Sequence, residues 1–290
     1  MTQSGPKLAS STSRPLRLSL REDLQVQTQS YLGRQYWIVK DPIALKYYRF
    51  EEEEYLLLSW ADGQTSLEQM QRRFESRFAP QKITVSEIQH FVGQMYRTGL
   101  LVSHAWGQGH QLYRRSVESQ RQKRRAAFSN FLSIRFRGVD PDRLLGGLNA
   151  GFGWLFCGPA VVAGILLMLS ALLLLGSQFD IVQHRLPRFQ QFFGSGNWFW
   201  LALTLSLTKV LHELGHGLTC RRLGGRCHEM GVMLLLFMPC LYCNVTDSWM
   251  IPSKWKRAAI GAAGMYVELV LASICTFLWW FSVPGLLNGI

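Results

Sequence analysis

The sequence predicts a mainly α-helical membrane protein, preceded by a small α+β domain of winged-helix type. Three observations carry this. Residues 1–150 hold 22 of the 31 Lys and Arg and 14 of the 19 Asp and Glu, a net +8. Residues 151–290 hold only five acids, Asp180, Glu213, Glu229, Asp247 and Glu268. Within that acid-poor half lie three long apolar runs, each able to supply the roughly 20 residues of a bilayer span. Phe152 to Gly176 carries no charge, and Trp198 to Cys220 is apolar up to Leu211 apart from Lys209. Ala258 to Val283 carries only Glu268 and ends near Trp279-Trp280, a pair suited to the membrane interface. At least three transmembrane helices are therefore expected.

Residues 1–29 read as a disordered tail, because they are polar and rich in Ser, Thr and Gln, without the apolar core of a signal peptide. Residues 30–105 read as a compact domain. Tyr36–Val39 and Tyr47–Phe50 are β-type runs on either side of Lys40-Asp41-Pro42, a turn signal, and predict a hairpin. A helix is expected from Glu51 to Ala61, with its acids at the positive end. Thr65 with Glu68, and Thr84 with Glu87, form capping-box patterns for two more helices. The first is expected to run to about Phe78 before Pro80. The second runs through Tyr96 and stops at Gly99, and Leu100–Val102 can return as a strand.

Residues 106–150 form a basic linker. Leu132, Ile134, Phe136 and Leu144-Leu145 alternate with Arg135, Arg137 and Arg143, a pattern for a segment lying on the membrane surface, with a solvated linker as the alternative. Basic residues also set orientation. Arg114 to Arg143 precede the first span, Arg221, Arg222 and Arg226 follow the second, and Lys254, Lys256 and Arg257 precede the third. The positive-inside rule then places the N-terminal domain, the end of the second span and the 221–257 connection in the cytosol. A net charge of +12 can signal nucleic-acid binding. Here it hugs a membrane span, no DNA-reading motif is present, and lipid headgroups are the expected partner.

Within 228–251 the apolar run Met230 to Leu241 is short for a span and predicts a re-entrant hairpin. Such a hairpin offers an edge strand to an extended substrate, or simply shields its neighbours from lipid. Cys240 and Cys243 have C-x-x-C spacing, and Cys220 with Cys227 could complete a four-thiolate zinc site. Against that, Cys240 follows Pro239 at the end of an apolar run. Cys157 and Cys275 lie in spans, as packing residues.

The chemistry concentrates in His212-Glu213-Leu214-Gly215-His216. On a helix, histidines four apart share one face and can present two imidazole nitrogens to one zinc ion. Zinc would bring the pKa of a bound water to near 7, and Glu213, which is not a ligand, would accept its proton and pass it to a leaving amine. Three ionisable groups and Lys209 at membrane depth are costly without partners. Lys209 lies on the same helical face, able to stabilise an oxyanion, to pair with Glu213 or to reach a polar neighbour. Catalytic zinc normally has three protein ligands, and Asp247 is the candidate within the chain, unless it caps the helix near Trp249.

The stretch from about 197 to 282 resembles the site-2-protease-like intramembrane metalloproteases of peptidase family M50. The resemblance rests on the His212–Gly217 motif at the end of a membrane helix, the Gly224-Gly225 turn, the apolar run Met230 to Leu241, and Ala262 to Glu268 opening the next span. Met265 and Glu268 stand where that family usually has an Ala-Gly-Pro segment and a later Asn, as in its bacterial branch of putative peptide zinc metalloproteases. The resemblance implies an intramembrane core over 151–290 in a bacterial inner membrane, Zn2+ as cofactor, and His212, Glu213 and His216 as ligands and base. It also implies a third ligand from an Asp-Gly motif on a later helix, expected beyond Ile290 if the chain is an N-terminal fragment. Residues 30–105 resemble PqqD-like domains, which bind a peptide precursor at an edge strand. The substrate would then be a peptide or membrane protein. The alternatives are a structural or regulatory cap for the domain, and a non-catalytic component of a peptide export or maturation system for the whole.

Overall fold

The computed structural model describes residues 12–103, 133–136, 138–185, 193–194, 196–235 and 238–282. The chain divides into two compact units, Met1–Arg125 and Ala126–Ile290.

The first unit contains β1 (Leu18–Leu20), β2 (Gln25–Tyr31), β3 (Arg34–Asp41), β4 (Lys46–Glu51), α1 (Glu52–Ser59), α2 (Leu67–Arg77), α3 (Val85–Thr98) and β5 (Leu101–Ser103). The expected hairpin is present, with Trp37 opposite Phe50 and Val39 opposite Tyr48. The reading of 1–29 as disordered fails for part of that stretch. β1 pairs antiparallel with β5, and β2 adds to β3 to make the antiparallel order β2-β3-β4. The strand was hidden because Gln25-Val26-Gln27-Thr28-Gln29-Ser30 has almost no apolar face, so its ladder with β3 holds it. Its turn is hidden too. Leu32 (φ +50°) and Gly33 (φ +79°) are both left-handed, and leucine is rare in that position.

The helices sit close to expectation. Thr84 and Glu87 cap α3, and Gly99, at φ +85°, ends it. For α2 the capping box is one residue later than Thr65 and Glu68. Ser66 and Gln69 form it, while the Thr65 hydroxyl donates to Asp62. The core is Leu58, Met70, Ile88 and Leu100, each at most 1% exposed, with Val39, Phe50 and Leu101 around them.

The second unit contains β6 (Ser133–Arg135), α4 (Asp142–Phe152), a 3-10 turn (Gly153–Phe156), α5 (Gly158–Ser177), α6 (Phe179–Arg185) and α7 (Trp198–Arg222). After these come β7 (Met230–Leu235), β8 (Met238–Cys243), a 3-10 turn (Thr246–Met250) and α8 (Lys254–Phe281). The hairpin expected from 228–251 is β7–β8, with Met230 opposite Cys243. The segment read as a surface linker departs from expectation, since 133–135 pair antiparallel with β7 and α4 packs on α7. Residues 104–132, including most of the basic run, lie outside the described residues.

Two described helices, α5 and α8, are long and apolar enough to cross a membrane. Three spans were expected. At 25 residues α7 is long enough, but Lys209, His212, Glu213, His216, Arg221 and Arg222 lower its hydropathy. The first span also starts later than Phe152, because Cys157 ends the 3-10 turn and Pro159 opens α5.

Candidate metal and acid–base centre

Helix α7 presents His212, Glu213 and His216 beside α8. The two helices approach closely because glycines meet at the crossing. A Cβ on Gly215 would come within 3.1 Å of the Ala263 carbonyl oxygen, and one on Gly264 within 2.5 Å of Nε2 of both His212 and His216. The imidazoles thus converge over the bare backbone of α8.

Their Nε2 atoms are 3.1 Å apart. Nδ1 of His216 lies 2.7 Å from the Ile260 carbonyl oxygen. A carbonyl only accepts, so Nδ1 carries the proton and Nε2 keeps its lone pair. Nδ1 of His212 lies 3.2 Å from Oε1 of Glu268, off the line of a well-formed hydrogen bond. Two nitrogens bonded to one tetrahedral zinc at about 2.05 Å would stand roughly 3.3 Å apart. The observed spacing fits such an ion. So does the Ile260 carbonyl behind His216, which fixes that ring as metal-bound histidines require, and a carboxylate oxygen of Glu268 stands 3.2 Å behind His212.

Glu213 is half-buried and faces the backbone N–H of Cys243, the last residue of β8. The hairpin end therefore reaches Glu213. Gly217 leaves room there, as a Cβ on it would lie 3.0 Å from Leu145 and 3.5 Å from the Cys243 sulfur.

Other sequence-predicted residues lie elsewhere. Asp247 is buried, accepts from the backbone N–H of Arg226 at 2.9 Å, and has His228 Nε2 4.0 Å away. It supports the turn after α7 from the first turn of the 3-10 segment that holds Trp249, and it does not group with the histidine pair. The four-thiolate arrangement does not form either. Cys227 and Cys243 meet at 3.1 Å, while Cys220 packs with Ile251 and Ile260. Cys240 and Cys243 are three apart on a strand, so their side chains leave opposite faces and cannot share one ion. Among the described residues no three His, Cys, Asp or Glu side chains group as a metal site.

Lys209 pairs with Glu268 of α8 at 2.7 Å, not with Glu213. Glu268, which the motif does not include, is the residue that joins Lys209 and His212 across the two helices. Its signal was its position as the lone charge in the apolar run Ala258 to Val283.

The constellation is a helix-borne histidine pair converging on one point, with a carboxylate next in sequence, as in metal-dependent hydrolases. In a comparison with known proteins, residues 199–287 match the family model "Peptidase family M50", the stretch holding α7, the β7–β8 hairpin and α8. No curated protein and no solved structure matches the chain.

Proposed function

We propose that the second unit is the core of an intramembrane zinc metalloendopeptidase, cutting peptide bonds near the cytosolic membrane face. The observation that carries this is the convergence of the His212 and His216 Nε2 atoms over Gly264, with Glu213 beside them, inside the M50-matching segment. His212 and His216 would hold the ion, with the remaining ligand from outside the described residues. When bound, zinc supplies the Lewis acidity that acidifies water and polarises a carbonyl. Glu213 takes the proton from the attacking water on its carboxylate and returns it to the leaving amine.

The membrane reading rests on exposed apolar side chains. Leu173 on α5 is 72% exposed, and Phe199 and Leu205 on α7 are 69% and 62% exposed. Such bands are stable against hydrocarbon, not water, which supports α7 as a third span despite its polar end. Its Arg221 and Arg222, with Lys254, Lys256 and Arg257 at the start of α8, favour the cytosolic side for that end. As the outer strand of its sheet, β8 gives an extended substrate an edge beside Glu213. In the first unit β2 and β4 are outer strands that suit a peptide precursor, so the substrate class would be exported or modified peptides. The inner membrane of a bacterium and contact with export-system proteins follow from that reading.

The test is cleavage of candidate peptides by the purified protein in lipid vesicles. Zinc-dependent cleavage lost in Glu213→Gln supports the peptidase. Peptide export that proceeds unchanged in Glu213→Gln, with no cleavage by either form, supports a non-catalytic component.

A further inference from the structure

We propose that Glu268 is the positioning residue for His212, tethered in turn by Lys209, and that this three-residue array sets zinc affinity. The proposal rests on the zinc reading above. On α8, Ile260, Gly264 and Glu268 are spaced four apart and so form one line along the helix. That line is the back wall of the site. The Ile260 carbonyl holds His216 through Nδ1, Gly264 leaves space for both rings, and Oε1 of Glu268 stands 3.2 Å from Nδ1 of His212. On α7, Lys209, His212 and His216 occupy the facing line at spacings of three and four.

The same Glu268 oxygen receives the Lys209 ammonium at 2.7 Å and faces His212. A plain ion pair stapling two apolar helices needs only the first contact. The second places a carboxylate oxygen 3.2 Å behind Nδ1 of the imidazole whose Nε2, on the opposite side of the ring, stands 3.1 Å from its His216 counterpart, within a small ring rotation of a hydrogen bond. Carboxylate–histidine pairs of this kind fix the ring tautomer and strengthen the metal bond. Lys209 keeps the carboxylate from turning away, and it neutralises a charge that would otherwise be costly on a helix with an apolar exterior.

The experiment measures zinc affinity of the full chain in detergent, by competition with a chromophoric chelator, alongside the melting temperature of the metal-free protein. Glu268→Ala is expected to weaken zinc binding 10- to 100-fold. Glu268→Gln keeps an oxygen within reach of Nδ1 and is expected to recover part of that loss, although both variants break the Lys209 pair and lower the metal-free melting temperature alike. A zinc affinity in Glu268→Ala equal to that of the parent overturns the proposal, as does an equal loss in the two variants. If Glu268→Ala does not accumulate, Glu268→Gln with parental affinity overturns it as well. A parent protein that binds no zinc removes the peptidase reading itself, and this proposal with it.

Discussion

Nδ1 of His216 donates to the carbonyl oxygen of Ile260 at 2.7 Å, which aims its Nε2 at Gly264 and at His212. Gly264 is therefore fixed by space, not by backbone conformation. In Gly264→Ala the new methyl carbon would sit 2.5 Å from both Nε2 atoms, closer than any contact allows. One ring must turn, or the helices must part. Alanine favours a helix by about 1 kcal/mol over glycine, so a helix-stability argument predicts no harm. The expected outcome is a loss of zinc affinity of at least about tenfold with α-helical content retained by circular dichroism. Parental zinc affinity in this variant would show that the metal does not lie between the rings.

Asp247 was a candidate ligand, but it holds the turn after α7 through the Arg226 N–H. Asp247→Ala removes a partly buried hydrogen bond, a cost of about 0.5–1.5 kcal/mol. The expected effect is faster protease cleavage near Gly224–Arg226 with zinc stoichiometry unchanged. Zinc that binds tightly to the parent and vanishes in Asp247→Ala would restore it as a ligand.

How far the sequence reached depends on the scale of each signal. His212, Glu213 and His216 were legible because helix geometry alone brings i and i+4 together. The β7–β8 hairpin was legible from a run too short to span, and α3 from its cap and Gly99. The role of Glu268 was not, since it depends on the register between α7 and α8, which Gly215 and Gly264 set. Likewise β2 could not be read from an apolar pattern it does not have, and the Cys227–Cys243 contact joins residues 16 apart across the hairpin. C-x-x-C spacing carried no metal site because such sites need a turn, whereas Cys240 and Cys243 lie on a strand, as Pro239 and the apolar run before it had argued.

The sulfur atoms of Cys227 and Cys243, 3.1 Å apart, are within about 1 Å of disulfide distance. The two thiols share one hydrogen bond and titrate together, so the contact favours a single thiolate and holds the second thiol above its ordinary pKa. Once an oxidant has activated one sulfur, the other is placed to attack it as the thiolate. Treatment with diamide is expected to lower the number of maleimide-reactive thiols in denatured protein from six to four. A Cys227–Cys243 cross-linked peptide should appear by mass spectrometry. Six thiols after treatment would mean that the pair is too protected to react.

In the first unit, Arg21 donates to both carboxylate oxygens of Asp41 at 3.0 and 3.2 Å, and the backbone N–H groups of Ile43 and Ala44 add two more bonds. Burial alone would raise the Asp41 pKa, but these four donors outweigh it and hold the carboxyl below its ordinary value. The sign follows from linkage. A depressed folded-state pKa contributes stability that is present above the unfolded value near pH 4 and is lost as pH falls through the folded value. Amide protection in β3, corrected for intrinsic exchange, is therefore expected to be flat between about pH 5 and 8 and to fall below about pH 4. Asp41→Asn should remove most of that acid dependence and lower β3 protection at pH 7 by about 2–3 kcal/mol, because Arg21 loses a charged acceptor. The discount from a fully buried pair reflects Arg21, which is 16% exposed and still holds Asp23 at 2.6 Å. An acid response identical in the parent and in Asp41→Asn would assign it to other carboxylates, with Asp62 and Glu87 next, since both are also held low by hydrogen bonds from nearby groups.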